Sequence, residues 1–321
     1  MRRTLRALAT ALLALPTALA LAPPAHAADP TTMTSGFYTD PNSTPKQWAA
    51  THPGDGRAPA IAASIAGTPM ARWFGAWSGT IGTATGAYVG AADQADKLPL
   101  LVAYNIYQRD SCGGHSGGGA ASPAAYASWI AQFAGGIAAR PAVVILEPDS
   151  LADYGCLDPT QIRERANMIN GAVAEFNRQA PHTWVYLDAG NPGWVPAATM
   201  AQRLHEAGLR QAHGFSLNVS NYYTTAQNTA YGNAVNSELS ARYGYTKPYV
   251  VDTSRNGNGT NGEWCNAAGR RIGTPTRLGG GAEMLLWIKT PGESDGDCGV
   301  GAGSSAGQFL PEVAYKMIYG Y

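Results

Sequence analysis

Short apolar runs alternate with amphipathic segments along most of the chain. Seven apolar runs predict β-strands, at positions 72–77, 98–107, 142–148, 182–187, 214–219, 248–251 and 283–288. Between them, apolar residues recur every three or four positions, most clearly over 162–176, and similar patterns over 122–139 and 199–211 also predict helices. Charged residues such as Arg165 fall off the apolar stripe of the 162–176 helix. Alternating strands and helices imply parallel strands with right-handed crossovers.

One predicted strand, VVILEPDS at 143–150, runs from four apolar residues directly into two carboxylates and a proline. Such a run is typical of a strand buried on both faces. Burying a carboxylate is costly, so a strand end is where an acidic side chain can face a cleft on a fixed backbone. Pro148 biases Glu147 toward an extended conformation, which we expect to fix the direction of Asp149. Taken alone, the pattern is equally compatible with Glu147 and Asp149 capping the next helix.

The other strand ends favour a closed barrel over an open doubly wound sheet. They finish in polar or acidic residues, namely Arg109, Asp110, Asp188, Asn191, Asn218, Asn221, Asp252, Lys289, Glu293 and Asp295. Parallel strands in a barrel place all their carboxyl ends on one rim, where TIM-type enzymes carry their chemistry. We therefore predict an α/β fold, a distorted (β/α) TIM-like barrel of about seven or eight parallel strands in a single domain.

The composition and net charge of the chain limit the kinds of molecule that it is expected to bind. The chain has 321 residues, with 22 basic and 22 acidic side chains and a formal net charge of zero. This balance gives no reason to expect a nucleic acid or a membrane as partner. Residues 1–27 combine early arginines, an Ala/Leu-rich middle and an Ala-x-Ala site ending at Ala27, which is typical of a secretory signal peptide. We therefore expect a secreted, extracellular protein with a catalytic domain at 28–321, and a monomer.

The four cysteines are Cys112, Cys156, Cys265 and Cys298. An even number in an exported chain makes two disulfides the default, with three possible pairings. Pairing of sequence neighbours would join Cys112 to Cys156 and Cys265 to Cys298. No Cys/His spacing fits a zinc site, so we predict neither a metal nor a cofactor.

The predicted rim carries at least five carboxylates, Lys289, Arg109 and several asparagines, but no histidine. Trp194 and Trp264 follow glycine-rich loop residues, where core packing does not account for a large ring. Carboxylates and aromatic rings without a metal motif are typical of a carbohydrate hydrolase. In such enzymes one carboxylic acid protonates the leaving oxygen while a second charge assists water or the sugar cation. Indole faces stack on the C–H faces of sugars.

Seven stretches, in order along the chain, resemble glycoside hydrolase family 6, the inverting cellulases. They are VAYNIYQRD at 102–110, LEPDSL at 146–151, YLDAG at 186–190, GFSLNVSNY at 214–222, DTSRNG at 252–257, GEWCN at 262–266 and WIKTPGESDG at 287–296. The resemblance implies a distorted (β/α) barrel that hydrolyses a β-1,4-glucan polysaccharide. The stretches between the paired cysteines are similar to the short forms in the family, which implies an open cleft and internal cleavage by an endoglucanase.

The resemblance also implies roles for individual residues. Asp149 matches the general acid, and Asp110 would raise the pKa of that acid and steer the water or the developing positive charge. Asp295 resembles the position proposed as general base, and a water relay near Asp110 and Ser116 is the rival. Substrate-binding positions are implied for Trp73, Tyr104, Ser116, Asp188, Trp194, Asn218, Trp264, Lys289 and Glu293. The chain departs from the family pattern at Tyr107, Ser111 and Asn191, and the first two lie beside Asp110, whose role is therefore the more open.

Two alternative functions remain open. GHSGG at 114–118 fits the G-x-S-x-G nucleophile elbow of serine hydrolases, and His205 or His213 follows later in the chain. A serine esterase using Ser116 is therefore one alternative hypothesis. The other is a non-catalytic glucan-binding protein on a decayed barrel, which the retained Asp110, Asp149 and Asp295 disfavour.

Overall fold

The predicted apolar runs form the parallel strands of one sheet. A computed structural model describes residues 28–113 and 116–321, so the predicted signal peptide lies outside the described residues. The strands are β1 Arg72–Phe74, β2 Leu100–Ala103, β3 Ala142–Leu146, β4 Thr183–Asp188, β5 Gly214–Leu217, β6 Tyr249–Asp252, β7 Arg277–Leu278 and β8 Met284–Leu286. The helices are α1 Thr44–Thr51, α2 Ala58–Ile61, α3 Ile81–Gln94, α4 Pro123–Ile137, α5 Pro159–Gln179, α6 Ala197–Glu206, α7 Thr225–Tyr243 and α8 Pro311–Tyr319.

The sheet has the strand order of a barrel. Its order is β1-β2-β3-β4-β5-β6-β8-β7, and every pair from β1 to β8 is parallel. The first and last parallel strands meet where the backbone N–H of Ala71 donates to the carbonyl of Trp287 at 2.9 Å. The prediction of a distorted (β/α) barrel in a single domain is therefore confirmed, with seven parallel strands among the described residues.

The eighth strand, β7, was not predicted. It consists of Arg277 and Leu278, pairs antiparallel with β8 at the sheet edge, and is exposed. A two-residue edge strand buries no apolar face, so it leaves no periodic signal in the sequence.

The strand runs are continuously apolar because both faces of the sheet are covered. Val143 and Ile145 of β3 point into a core that also contains Trp184 and Met284, inside the curved sheet. The alternate residues, such as Val144, pack with the surrounding helices. β2 through β6 are buried at every position. Burial on both faces is what distinguishes a parallel strand from an alternating antiparallel one.

Helix α5 begins at a capping box. The Asp158 side chain accepts from the N–H groups of Thr160 and Gln161, and the Gln161 side chain accepts from the N–H of Asp158. Its apolar stripe packs against the sheet as predicted. Arg165 was predicted to lie off the apolar stripe, but it is buried, with only 2% of the residue exposed. No helix in the described part of the chain is long and apolar enough to cross a membrane.

The two disulfides join sequence neighbours. Cys112 is bonded to Cys156, and Cys265 is bonded to Cys298. The first connects the loop after β2 to the loop after β3, and the second connects the loop after β6 to the segment after β8. Both therefore fasten loops at the carboxyl end of the barrel.

Candidate active site

A groove of about 1500 Å³ crosses the carboxyl ends of the strands. Its lining includes most of the residues singled out from the sequence, namely Trp73, Tyr104, Asp110, Ser116, Asp149, Trp194, Trp264, Lys289, Glu293 and Asp295. Three carboxylates from separate loops thus meet in one groove. The lining does not include Asp188 or Asn218, which lie beneath it and are buried.

Asp149 is held at the end of β3 in an unusual backbone conformation. Its φ of 70° lies in the left-handed region that non-glycine residues rarely adopt. The backbone N–H of Asp149 donates to Oδ2 of Asp188 at 2.9 Å, which fixes this turn. Burial, followed by the negative charges of Asp188 and Asp110, raises the pKa of Asp149 well above its ordinary value. Asp149 is therefore the carboxyl group of the groove that is best able to hold a proton.

Glu147 turns away from the groove, although it stands only two residues before Asp149. Its carboxylate accepts from the backbone N–H groups of Asn105 and Ile106 at distances between 2.9 and 3.1 Å. The expectation that Pro148 holds Glu147 extended was wrong, because the φ of Glu147 is 50°. Ser150 stabilises the resulting turn by donating its hydroxyl to the Glu147 carbonyl at 2.6 Å. Glu147 thus joins the loops after β2 and β3 from below.

Asp188 supports Asp149 from beneath. Burial raises the pKa of Asp188 to about 6, although it accepts hydrogen bonds from the N–H groups of Asp149 and Gly190 and from the Ser216 hydroxyl. Only 2% of Asp188 is exposed, so its carboxylate contacts other protein groups and does not line the groove. It positions the Asp149 backbone and raises the pKa of the Asp149 side chain.

We expect Asp188→Asn to move the alkaline limb of the pH–rate profile to lower pH. The neutral side chain no longer raises the pKa of Asp149, so Asp149 loses its proton at lower pH, and an acid catalyst is inactive without it. The measurement is kcat/KM for a soluble cello-oligosaccharide across the pH range.

Asp153→Asn is the matched control for this experiment. Asp153 also raises the pKa of Asp149, but it contributes less than Asp188 and Asp110. Its substitution should move the same limb in the same direction by a smaller amount. An unchanged alkaline limb in Asp188→Asn would contradict the electrostatic role of Asp188.

Asp110 belongs to a loop that is held by hydrogen bonds between its own residues. Its φ is 50°, and its Oδ2 accepts from the Ser116 N–H at 2.5 Å and from the Ser116 hydroxyl at 3.2 Å. The Ser116 hydroxyl also lies 2.8 Å from the Tyr104 hydroxyl. Gly119 returns the loop to the barrel with a φ of 91°, where an added Cβ would meet the Ile106 carbonyl oxygen. The result is a chain of hydroxyl groups that leads from Tyr104 to the Asp110 carboxylate.

Arg109 shapes the same loop from its inner side. Its Nη1 donates to the Tyr104 carbonyl at 2.6 Å and its Nε donates to the Ser116 carbonyl at 2.9 Å. Its guanidinium lies 4.3 Å from the centre of the Tyr104 ring and 5.6 Å from that of Trp77. A cation between two rings, bonded to loop carbonyls, fixes the loop without using a carboxylate.

Asp295 has electrostatic surroundings opposite to those of Asp149. Its carboxylate lies 2.8 Å from Nη1 of Arg255 and 3.4 Å from Nζ of Lys289, and it accepts from the N–H of Asn266 at 3.0 Å. Burial acts to raise its pKa, but the charges of Arg255 and Lys289 outweigh burial and lower the pKa of Asp295. Asp295 therefore remains a charged carboxylate in the groove.

Aromatic rings stand along the groove at intervals. Trp73 donates its indole N–H to the Ile288 carbonyl at 2.8 Å and packs edge-on against Tyr104, with ring centres 5.2 Å apart. Trp194 and Trp264 are each 44% exposed, and Trp77 is 59% exposed. Large rings left open to a groove are suited to stacking on sugar faces.

A family model for glycosyl hydrolases family 6 matches residues 32–319. The chain belongs to this family. Endoglucanase 1 of Streptomyces halstedii is 80% identical over 321 residues and covers the whole of both chains. Endoglucanase A of Thermobispora bispora is 43% identical over 331 residues, which span 99% of this chain and 70% of that protein.

A solved structure agrees with this assignment. The endoglucanase Cel6 from Mycobacterium tuberculosis, in complex with methyl-cellobiosyl-4-deoxy-4-thio-β-D-cellobioside, superposes with a TM-score of 0.82 and 38% sequence identity. The match covers 91% of this chain and 99% of that one. The resemblance to glycoside hydrolase family 6 is thus confirmed, and the protein is a glycoside hydrolase.

Two residues implied as substrate contacts lie below the surface of this family 6 groove. Asn218 donates its side-chain amide to the Asp252 carbonyl at 2.8 Å and accepts from the Tyr223 N–H at 3.1 Å. Its φ of 67° places it in a tight turn at the end of β5. Asn218 and Asp188 therefore support the rim residues, whereas Lys289 and Glu293 line the groove itself.

Arg255 was not singled out from the sequence, although it pairs with Asp295. Its side chain is 1% exposed and its guanidinium lies 4.6 Å from the centre of the Tyr222 ring. The signal was present, because Arg255 is the cation within the stretch DTSRNG at a strand end. Trp77 ends the first predicted strand, 72–77, but was not assigned to the site.

The serine-hydrolase hypothesis finds no support in the described residues. Ser116 contacts Tyr104 and Asp110, and helix α4 begins only at Pro123, so no sharp strand–turn–helix follows the serine. His205 stacks on Tyr243, His213 stacks on Trp184, and neither lines the groove. Gly114 and His115 lie outside the described residues. Within those residues no group of three or more His, Cys, Asp or Glu side chains could hold a metal ion.

Proposed function

We propose that the protein is a secreted endo-β-1,4-glucanase that hydrolyses internal β-1,4-glucosidic bonds of cellulose or related β-glucans with inversion at the anomeric carbon. The observation that carries this proposal is the pair of opposite carboxyl environments in one groove. The pKa of Asp149 is raised, and the pKa of Asp295 is lowered. Two carboxyl groups whose pKa values are pushed apart are suited to acid and base roles at the same pH. The endoglucanase names of the relatives support the substrate class.

In this mechanism Asp149 donates its proton to the glycosidic oxygen of the leaving sugar. A water on the opposite face of the reacting sugar attacks the anomeric carbon, and its proton passes to a carboxylate. Asp295 is one candidate for that role, and the chain of Ser116 and Asp110 is the other. The charge of Asp110 also raises the pKa of Asp149. Trp73, Trp194 and Trp264 would bind glucose units on either side, with Lys289 and Glu293 bonded to hydroxyl groups.

The proposal includes the processing of the chain. Residues 1–27 would be removed as a signal peptide on export, which leaves 28–321 as the catalytic domain acting as a monomer. No metal or cofactor takes part in the mechanism proposed.

Inversion predicts the anomer that appears first. Hydrolysis of a cello-oligosaccharide should release the α-anomer at the new reducing end, because water attacks from the face opposite the leaving group. Proton NMR recorded within the first minutes, before mutarotation, measures the ratio of anomers. If the β-anomer appears first, the reaction is retaining and the mechanism proposed here is wrong.

Internal cleavage predicts a fast loss of chain length. The viscosity of carboxymethylcellulose should fall well before reducing ends accumulate, since one cut in the middle of a chain halves its length. Parallel viscometry and reducing-sugar assays test this. A slow fall of viscosity in proportion to sugar release would indicate exo action, and the absence of both would indicate a non-catalytic protein.

A further inference from the structure

Arg165 is a buried cation that touches two loops of the site. It lies in α5, and its Nη1 donates to the carbonyls of Ser150 at 3.4 Å and Asp153 at 3.1 Å, in the loop after β3. Its Nη2 donates to the carbonyl of Gln108 at 2.7 Å and to the hydroxyl of Ser111 at 3.3 Å, in the loop after β2. One guanidinium group therefore bonds both loops.

This arrangement has no ion pair to explain it. No carboxylate oxygen in the described residues lies within 4.0 Å of a nitrogen of Arg165. Burial lowers the pKa of Arg165, and the charge of Asp153 only partly opposes this effect, so a cation in this place is unfavourable unless its donors are bonded. An apolar side chain of similar length would fill the same space without this cost. What the guanidinium adds is a set of donors for loop oxygens.

The bonded oxygens stand next to the two carboxylates of interest. Gln108 and Ser111 flank Asp110, while Ser150 immediately follows Asp149. Both aspartates have left-handed φ values, 50° and 70°, so their turns need support from outside the loop. A planar guanidinium fixes the direction of several hydrogen bonds at once. The geometry therefore couples the position of the Asp110 loop to that of the Asp149 loop.

We propose that Arg165 is a positioning residue that sets the spacing between the Asp110 and Asp149 carboxyl groups through these two loops. This inference rests on the proposed function, in which both aspartates act on the same glycosidic bond. The Cys112–Cys156 disulfide joins the same loops farther out, through one covalent link. Arg165 differs in that three of its four hydrogen bonds go to residues within two positions of Asp110 or Asp149.

The test compares Arg165→Lys and Arg165→Met with the wild type on two substrates. One is a soluble cello-oligosaccharide, and the other is an aryl cello-oligosaccharide whose leaving group needs no proton. For Arg165→Lys we expect kcat on the first substrate to fall roughly tenfold or more, because small misplacement of catalytic groups is costly. KM should stay within about twofold, because Arg165 is not among the residues that line the groove. The loss should be smaller on the aryl substrate.

Arg203→Lys is the matched control. Nη1 of Arg203 donates to the carbonyls of Leu151 at 2.8 Å and Ala152 at 3.2 Å, so this residue bonds only the loop after β3. It should lower the thermal midpoint as Arg165→Lys does, yet keep kcat and the ratio between the two substrates near the wild type.

Two results would overturn the inference. One is an Arg165→Lys enzyme with wild-type kcat, and the other is an Arg203→Lys enzyme with the same kcat loss and the same dependence on leaving group. If Arg165→Met does not fold, Arg165→Lys decides alone, because it retains the charge. A wild-type protein that hydrolyses neither substrate would instead contradict the proposed function.

Discussion

Asp149→Ala is expected to reduce hydrolysis of cello-oligosaccharides by about 10²–10⁴-fold, the usual contribution of a positioned general acid. The glycosidic oxygen of a sugar leaving group must be protonated as the bond breaks. Asp149 is the carboxyl group of the groove whose pKa is raised by burial and by neighbouring carboxylates. Aryl cellosides with a good leaving group should be spared, because they need no proton. The measurement is kcat/KM on both substrates.

The control for this variant is Glu263→Ala. Glu263 is an exposed carboxylate that also lines the groove, so it tests whether loss of any acidic group there is harmful. It should leave the rate on both substrates close to the wild type. Equal loss on the sugar and aryl substrates in Asp149→Ala would show that Asp149 acts in some way other than proton donation.

The carboxylates of the site could be predicted because the fold brings the ends of its parallel strands together. An apolar run that ends in an acid places that acid at the carboxyl end of a parallel strand, and a barrel brings all such ends to one rim. Asp149 follows this rule directly after β3, whereas Asp110 and Asp295 stand farther along the loops after β2 and β8. Their meeting in one groove depends on strand order alone, which the alternation of strands and helices already contains.

The direction of each side chain at the rim could not be predicted in the same way. Glu147 and Asp149 stand in the same stretch, but Glu147 accepts backbone N–H groups of another loop and Asp149 faces the groove. Asn218 and Asp188 likewise turn inward to support neighbouring turns. These choices depend on left-handed turns and on donors supplied by distant segments, which leave no local pattern.

The burial of Arg165 and Arg255 could not be predicted from the sequence either. Helical periodicity placed Arg165 off the apolar stripe, and the charge of Arg255 gave no indication of burial. Their partners are loop carbonyls for Arg165 and the Asp295 carboxylate for Arg255. Such partners come from segments far apart in sequence, so only the folded chain reveals that the charge is satisfied.

Arg255→Met is expected to lower the free energy of unfolding by about 3–5 kcal/mol, the usual cost of removing one partner from a buried ion pair. Asp295 would then be buried with Lys289 as its nearest cation. Its lowered pKa in the wild type contributes stability above the pKa of the unfolded carboxyl group, and this contribution is lost as pH falls through the folded value. The difference between variant and wild type should therefore be large at neutral pH and shrink below about pH 4.

The double variant Arg255→Met/Asp295→Asn separates this cost from a general packing defect. With both charges removed, no uncompensated carboxylate remains, so the double variant should be more stable than Arg255→Met at neutral pH. Urea unfolding at several pH values measures all three proteins. Activity of the double variant separates the two candidates for the base, because loss is expected if Asp295 accepts the proton of the attacking water and not if the chain of Ser116 and Asp110 does. If the second substitution instead destabilises the protein further, Arg255 does not stabilise the ionised form of Asp295. The opposite pKa shifts of Asp149 and Asp295 would then lack their proposed physical cause.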